Sequence, residues 1–338
     1  MNADQKLQAY LWDPAAFADA DVAAVEETLS PLAFDPAAHP LPAIFAARDL
    51  PAPRGRMRWR RPVIALAVAA SLLFAAGAGL WSWRWSWPDG RAWTVRAGGA
   101  ESRLEVGRGV AVPSGTPAIA NIARIGTMRL GGGTSLELRA TRGNRHRLRM
   151  DAGALHVRLW APPGSIVIET PAGDIVDMGC EFNLSVDGDS SRVRVVSGWV
   201  QIENRVDEVL IPAGASSEMT SMEGPGVPVF DDAAGEFREA VRAIEGGAGP
   251  AAVDVVLRLA RARDVYTLLQ IADRHPRVAE PVLRRAAELA PPPGDVTIGA
   301  IMRGDRDALW QWTMSLPLPS PKSGWWRNWR DALPLGLK

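Results

Sequence analysis

The sequence predicts a multidomain membrane protein with one transmembrane helix, an all-β domain and a C-terminal all-α antiparallel helical domain. Three observations predict this fold class: an uncharged run of 22 residues from Pro62 to Trp83, short segments of alternating hydrophobicity after it, and helical periodicity from about residue 231 onward. We divide the chain into an arm (1–57), the transmembrane helix (62–85), the β domain (93–222) and the helical domain (231–338).

The uncharged run, PVIALAVAASLLFAAGAGLWSW, has the length of a membrane span. As a helix it would extend about 33 Å, against a hydrocarbon core of about 30 Å. Tryptophans flank the run, as indole rings at the headgroup level would, and five arginines precede it. The arginines are Arg54, Arg56, Arg58, Arg60 and Arg61, and the tryptophans are Trp59, Trp81, Trp83, Trp85 and Trp87. The positive-inside rule then predicts a single-pass protein of the inner (cytoplasmic) membrane, with a cytoplasmic N-terminus and most of the chain extracytoplasmic.

The charge balance and the cysteine count exclude two classes of protein. The chain carries 38 basic and 38 acidic residues and a single cysteine, so neither a polyanion-binding protein nor a disulfide framework is expected. We predict no nucleic-acid partner. The arginine cluster is expected to hold topology and to contact anionic lipid.

The N-terminal arm is acidic and too short for a large core. Residues 1–53 contain eight acidic side chains against Lys6 and Arg48, a net charge of minus six. One short amphipathic helix is predicted, with Val22, Val25 and Leu29 on one face and Pro31 at its end. This apolar stripe either folds back on the arm or docks a cytoplasmic protein.

Short β-type segments follow the uncharged run. They are bounded by Gly, Pro, Asn or Asp and alternate with period two, which is typical of a sandwich, roll or solenoid. The predicted strands are Ser102 to Val106, Thr127 to Leu130, Ser135 to Leu138, Leu148 to Met150, Leu155 to Leu159, Ile166 to Glu169, Arg192 to Val196 and Val200 to Glu203. A weak repeat places Gly153, Gly198 and Gly214 where one strand turns into the next, by a positive φ or a close approach.

One stretch in this region, IVIETPAGDIVDMGCEFNLSVDGDSSRVRVVSGWVQIEN, resembles the FecR-type domain of bacterial signal-transducing membrane proteins. The resemblance covers roughly residues 95–220 and lies in a Thr-Pro-x-Gly turn, a Gly-Thr-x-Phe element and a Glu-Gly-x-Val turn. The matching positions, with an expected structural role, are Thr170, Gly173, Gly179, Phe182, Gly198 and Val200. The chain departs from the pattern at Cys180, where threonine is usual, and at Ser197, where an acidic residue is usual.

The resemblance implies a signal-transducing regulator in which an outer β domain receives an envelope signal and the arm controls an extracytoplasmic-function sigma factor, as in anti-sigma proteins. The implied partners are the membrane, a sigma factor on the cytoplasmic side and an unidentified envelope protein or ligand outside. The alternative is an envelope binding or scaffold module, anchored by one helix, with no sigma-factor partner. Small residues at Ala65, Ala69, Ala75, Gly77 and Gly79 also suggest a homodimer through the helix.

Helical spacing resumes after residue 231. The stripe Phe237, Val241 and Ile244 is the first of four, and short helices with short connections indicate a domain that binds a protein or packs on the β domain. The C-terminus is rich in tryptophan. The rings of Trp310, Trp312, Trp325, Trp326 and Trp329 either close the helical core or dock on the β domain, or the last three insert into a membrane surface beside Lys322, Arg327 and Arg330.

No catalytic constellation is recognisable, and we predict that the protein is not an enzyme, with no cofactor and no metal. The four histidines, His39, His146, His156 and His275, show no ligand spacing. Cys180 has no adjacent cation and is expected to be a buried, inert thiol. The pair Asp187 and Asp189 forms a turn in the preferred interpretation and a calcium site in the less favoured one.

Overall fold

The computed structural model describes residues 27–29, 60–205 and 207–318, and for 60–68 it describes the helical backbone alone. Residues 27–29 are helical, and Leu29 is exposed. The rest of the predicted amphipathic helix, His39, Arg54, Arg56, Arg58, Trp59 and the tryptophans after residue 318 lie outside the described residues. By its internal contacts the chain divides into two units, 1–73 and 74–338.

Helix α1 spans Arg60–Trp85. Among the residues that the structure describes, no helix combines the length and the apolar character needed to cross a membrane. The side chains of α1 are described from Ala69 to Trp85. This stretch includes the cation Arg84. The predicted transmembrane helix is therefore wrong, and with it the predicted fold class and the single-pass location in the inner membrane.

The structure shows instead a large β-rich sheet domain with helices, and the predicted β-rich character is confirmed. Its strands are β1 (Trp93–Ala97), β2 (Ala100–Leu104), β3 (Gly109–Ala111), β4 (Ala118–Ile122), β5 (Gly126–Leu130), β6 (Ser135–Arg142), β7 (Arg145–Leu159), β8 (Ile166–Glu169), β9 (Asp174–Asp177), β10 (Glu181–Asp187), β11 (Ser190–Ser197), β12 (Trp199–Glu203), β13 (Glu208–Pro212), β14 (Ala215–Thr220), β15 (Gly224–Pro225) and β16 (Val229–Phe230).

The strands form two sheets that share β7. The first has the order β2-β1-β4-β5-β7-β10-β11-β14, with β15 and β16 paired to β14, and the second has the order β3-β6-β7-β8-β9-β12-β13. Neighbouring strands are antiparallel except β7 and β8, which are parallel. One strand thus belongs to both sheets.

Strand β7 changes sheets at Gly153. Its residues up to Ala152 pair with β6, and from Gly153 onward they pair with β10 and then also with β5. Gly153 has φ +105°, and a Cβ there would lie 2.4 Å from Thr134 Cα. The strand continues through this glycine, where the sequence had predicted a turn between two strands. Glycine is required for the bend and for the close approach of the two backbones.

The helices follow the last strand. They are α2 (Gly235–Glu245), α3 (Pro250–Leu259), a 3₁₀ turn (Ala262–Asp264), α4 (Val265–Arg274), α5 (Ala279–Leu289), α6 (Ile298–Met302) and α7 (Arg306–Ser315). Proline at the start of α3 fits because a first-turn N–H needs no helical partner. The side chain of Asp305 caps α7 by accepting from the Ala308 amide. The predicted stripe Phe237, Val241 and Ile244 is buried.

Helix α4 packs directly on the β domain. All but three of its ten residues are buried, and two of them anchor it by hydrogen bonds: Tyr266 Oη donates to the Leu210 carbonyl and Thr267 Oγ1 donates to the Pro228 carbonyl over 2.8 Å. The buried apolar side chains of both sheets and of the helices form one cluster. A shared core of this kind fixes the helices on the sheets through burial of apolar surface.

Candidate functional site

Two of the residues that carry the FecR resemblance, Gly179 and Val200, lie beside a buried carboxylate, Asp177. Strand β9 alternates inward and outward, and this period of two places Ile175 and Asp177 on the core side. The exposed fraction of Asp177 is 0%. Its Oδ1 accepts three hydrogen bonds, from the Gly179 amide (2.8 Å), the Cys180 amide (3.1 Å) and the Cys180 thiol (2.9 Å). The carboxylate therefore holds the turn that leads into β10.

The second carboxylate oxygen of Asp177 is buried without a hydrogen-bond partner among the described residues. Burial raises the pKa of Asp177 to about 7, although the Cys180 thiol and the two amides favour the charged form. Burial and the neighbouring Asp177 charge also raise the pKa of the Cys180 thiol. Cys180 is thus a buried, protonated thiol, and reactive cysteines have the opposite environment.

Gly198, in the turn that matches Glu-Gly-x-Val, contacts the segment that Asp177 holds. Gly198 has φ +73°, and a Cβ there would lie 2.8 Å from the Gly179 carbonyl oxygen and 3.1 Å from Cys180 Cβ. The segments Gly179 to Phe182 and Ser197 to Val200, which are about 20 residues apart in sequence, are therefore in direct contact. Phe182 and Val200 are both fully buried beside them.

The Thr-Pro-x-Gly turn, Thr170 to Gly173, is hydrogen-bonded to strand β11 through Ser191. Thr170 Oγ1 donates to the Gly173 carbonyl (2.7 Å), accepts from the Gly173 amide (3.2 Å) and accepts from Ser191 Oγ (2.8 Å). A Cβ at Gly173 would lie 2.4 Å from the Glu203 carbonyl oxygen. The turn thus closes the edge between β8 and β9 against β12. The six motif positions form packing and turn contacts.

Of the five arginines that precede the uncharged run, Arg60 and Arg61 lie in α1, where the structure describes only their backbone.

The described histidines lie apart. His156 contacts Asn183 and Glu181 on the face of the first sheet, each at 3.0 Å. Burial and the neighbouring Arg274 lower the pKa of His275, at the end of α4. Among the described residues no three His, Cys, Asp or Glu side chains are grouped as metal ligands. Asp189, in the predicted turn, accepts from Ser221 Oγ at 3.3 Å.

His146 belongs to a buried polar chain at the other end of the β domain. Trp93 Nε1 donates to Thr141 Oγ1 (3.1 Å), so the single Thr141 hydroxyl proton is free to point to His146 Nδ1 (2.8 Å). The other ring nitrogen, Nε2, is buried without a hydrogen-bond partner in the described part of the chain. Burial lowers the pKa of His146 to about 4, which keeps the ring neutral.

Tryptophans at the end of the uncharged run and just after it contact the β domain. Trp85 stacks on Trp160 with ring centroids 5.9 Å apart, and Trp81 meets Trp160 edge-on at 6.0 Å. The Arg84 guanidinium lies 4.5 Å from the Trp160 ring centre, and Arg124 lies 3.8 Å from that of Trp83. Cation–π and aromatic contacts thus join the end of α1 to the β domain. Trp160 is 75 residues beyond Trp85, so local sequence gave no signal for this contact.

A groove lies between strands β12 and β13 and helices α4 and α7, with a volume of about 310 Å³. Its floor is apolar and its rim carries four carboxylates and one cation. The floor residues are Trp199, Leu210, Tyr266, Leu309, Trp310 and Met314, and the rim residues are Asp207, Glu208, Asp273, Asp307 and Arg306. Trp199 and Tyr266 meet edge-on at 5.8 Å. The sequence did not indicate this acidic groove, because its walls come from the hairpin of β12 and β13 and from two helices that follow much later in the chain.

Comparison with known proteins adds a structural likeness. No family model matches the chain, and no curated protein matches it. Two crystal structures of a candidate anti-sigma factor from Parabacteroides distasonis ATCC 8503, at 1.65 Å and 2.50 Å resolution, are similar to it with TM-scores of 0.32 and 0.31. Sequence identity is 14% in both cases, over 39% of this chain and 63% of that chain. The likeness therefore spans less than two thirds of the neighbour.

Proposed function

We propose that this chain is a non-catalytic regulator of a sigma factor, built on a β domain of the FecR type. The contact of Gly198 with Gly179 and Cys180 is the observation that supports the proposal best. Two of the segments that resemble the FecR pattern, Gly179 to Phe182 and Ser197 to Val200, are separate in sequence, yet they pack on one another beside Asp177. A chance likeness of short motifs would not require such convergence.

The chemistry of this cluster supports a role in binding rather than catalysis. Asp177 and Cys180 are both buried, and their polar atoms hold a turn. A catalytic acid or nucleophile has to reach a substrate, and neither side chain is accessible. His146 is buried as well and is kept neutral. The proposed activity therefore resides in surfaces of the protein.

The N-terminal arm has a net charge suited to a sigma-factor partner. Its net charge of minus six over residues 1–53 complements a partner whose own function is to bind nucleic acid through basic surface. Complementary charge raises the rate of encounter and discourages wrong partners. A contact of this kind weakens as salt screens it.

A binding module without a sigma-factor partner is the second candidate. The acidic groove favours it, because a concave apolar floor with a charged rim is a typical binding surface. The two candidates differ in the arm: a sigma-factor regulator needs residues 1–57, whereas a module that acts through the groove does not.

Co-purification tests the proposal. The tagged full-length chain is co-expressed with each extracytoplasmic-function sigma factor of the source organism in turn, and bound sigma factor is quantified at low and at high salt. We expect one sigma factor to be retained, with retention falling as salt rises. Retention of none at low salt would refute regulation of a sigma factor.

A chain lacking residues 2–50 is the matched variant. If the arm makes the contact, this variant loses the sigma factor but keeps its circular dichroism spectrum. Undiminished retention by the shortened chain would assign the contact to the β domain or the helices, and the role of the arm would be wrong.

A further inference from the structure

The acidic groove leaves large apolar side chains in contact with solvent. Trp310 is 43% exposed and Met314 is 39% exposed, and both lie on α7 at the groove floor. Exposed aromatic surface in a concave site with convergent polar groups is characteristic of a surface that another group covers. Four carboxylates and the guanidinium of Arg306 line the groove, and Arg274 pairs with one of the four, Asp207. The rim remains net negative, so the covering group should be cationic as well as aromatic.

The chain itself contains such a group. Residues 319–338, which follow the described part, carry three tryptophans and a net positive charge. The tryptophans are Trp325, Trp326 and Trp329, and the charged side chains are Lys322, Arg327, Arg330 and Lys338 against Asp331. We propose that this C-terminal segment binds in the acidic groove, with its indole rings on the apolar floor and its cations at the carboxylate rim.

The connection is long enough for this. Helix α7 lines the groove along its length and ends at Ser315, so the segment starts at the groove wall. Ten helical residues extend about 15 Å, and the nine residues between Ser315 and Trp325 reach at most about 30 Å when extended. The prolines at 317, 319 and 321 and Gly324 suit a chain that reverses direction. The tether therefore permits the tryptophans to return along α7.

Tethering makes even weak contacts effective. A short flexible connection gives a local concentration in the millimolar range, so an intramolecular site is filled by contacts too weak to bind a separate peptide. Each indole that leaves water adds apolar burial, and the cations pair with a rim that already repels anions. This inference is independent of the proposed sigma-factor partner, since it concerns two parts of one chain.

Disulfide trapping in the full-length chain tests the proposal. Gln270, which lines the groove, and Asn328, between the second and third tryptophans, are both replaced by cysteine (Gln270→Cys, Asn328→Cys). The native Cys180 is buried and does not interfere. The control pairs Asn328→Cys with Glu101→Cys, an exposed position on β2 outside the groove. We expect the groove pair to form an intrachain disulfide at least about tenfold faster than the control pair, given the local concentration that docking imposes.

Two further variants in the groove pair separate docking from chance collision. Trp326→Ala with Trp329→Ala should slow intrachain trapping about tenfold, because the apolar anchors are lost. Arg327→Glu with Arg330→Glu should slow it as well, and the parent rate should fall as salt rises.

Three results would overturn the proposal: equal rates for the groove and control pairs, trapping that is unaffected by the tryptophan variants, or disulfides mainly between chains. The last would assign the groove to a second copy of the protein. Peptide mapping by mass spectrometry distinguishes intrachain from interchain products.

Discussion

The Cys180 thiol donates a hydrogen bond to the Asp177 carboxylate over 2.9 Å, at a place where neither residue contacts solvent. Removing an ionised carboxylate from water is costly, and three donors on one oxygen offset only part of that cost while the second oxygen remains unpartnered. The β domain thus folds around an acid whose charge it tolerates poorly.

Stability of the β domain should therefore depend on the protonation of Asp177. Its folded pKa, about 7, is above the ordinary value of 3.8, so its contribution is greatest below pH 4 and is lost as pH rises to 7. Asp177→Asn removes this titration, and the stability of the variant relative to the native chain should improve by a few kcal/mol between pH 4.5 and about pH 8. Urea denaturation at a series of pH values measures it. A relative stability that is constant with pH would contradict the prediction.

His146 should act with the opposite sign. Its folded pKa, about 4, lies below the ordinary 6.5, so stability is retained above pH 6.5 and is lost as pH falls toward 4. His146→Gln keeps an acceptor for the Thr141 hydroxyl and removes the titration. We expect its stability relative to the native chain to rise as pH falls from 7 to about 4.5. The control is His156→Gln, on the sheet face.

Gly198→Ala should destabilise the protein by about 2–4 kcal/mol, since the new Cβ meets the Gly179 carbonyl oxygen and the backbone is left-handed. Gly188→Ala is the matched control. Gly188 has φ +58° with nothing within 4 Å of a Cβ, so it incurs the conformational cost alone, about 1 kcal/mol. Thermal or urea unfolding of both variants provides the comparison. Similar losses at the two glycines would show that the close approach at Gly198 is unimportant.

Thr267→Val should weaken the attachment of the helices to the sheets. The substitution keeps the shape of the side chain but removes the donor to the buried Pro228 carbonyl, at an expected cost of about 1–3 kcal/mol. Thr313→Val is the control, because the acceptor of Thr313 is the Leu309 carbonyl within its own helix, α7. Hydrogen exchange should show faster exchange in α4 for the first variant only, and unchanged protection there would argue against an anchoring role.

Sequence patterns predicted the positions of some strands correctly, but they did not predict which strands are continuous or which strands pair. The segment Ile166 to Glu169 was predicted as a strand and is β8. Leu148 to Met150 and Leu155 to Leu159 were predicted as two strands but lie in the single β7. A glycine that bends a paired strand has the same local pattern as a glycine in a turn, and the pairing partner that decides between them is distant.

The error over the membrane has a similar cause. An uncharged run flanked by tryptophans matches a membrane span by composition, and composition does not show that Trp85 stacks on Trp160. Asp177 was missed although its alternation with Ile175 was visible, because an acidic residue at an inward position is rarely buried unless it is paired. The acidic groove was not predictable, since its residues are brought together only by packing.

The sharing of β7 between the two sheets determines how the β domain can unfold. Strand β7 pairs with β6 in one sheet up to Ala152 and with β10 in the other sheet from Gly153 onward. If β7 leaves one sheet, its hydrogen bonds to the other sheet are therefore disturbed at Gly153. The two sheets should behave as one cooperative unit in hydrogen exchange, with a common free energy of opening for the amides of β6 and β10. A mechanical load applied across the sheets would likewise pass through a single backbone.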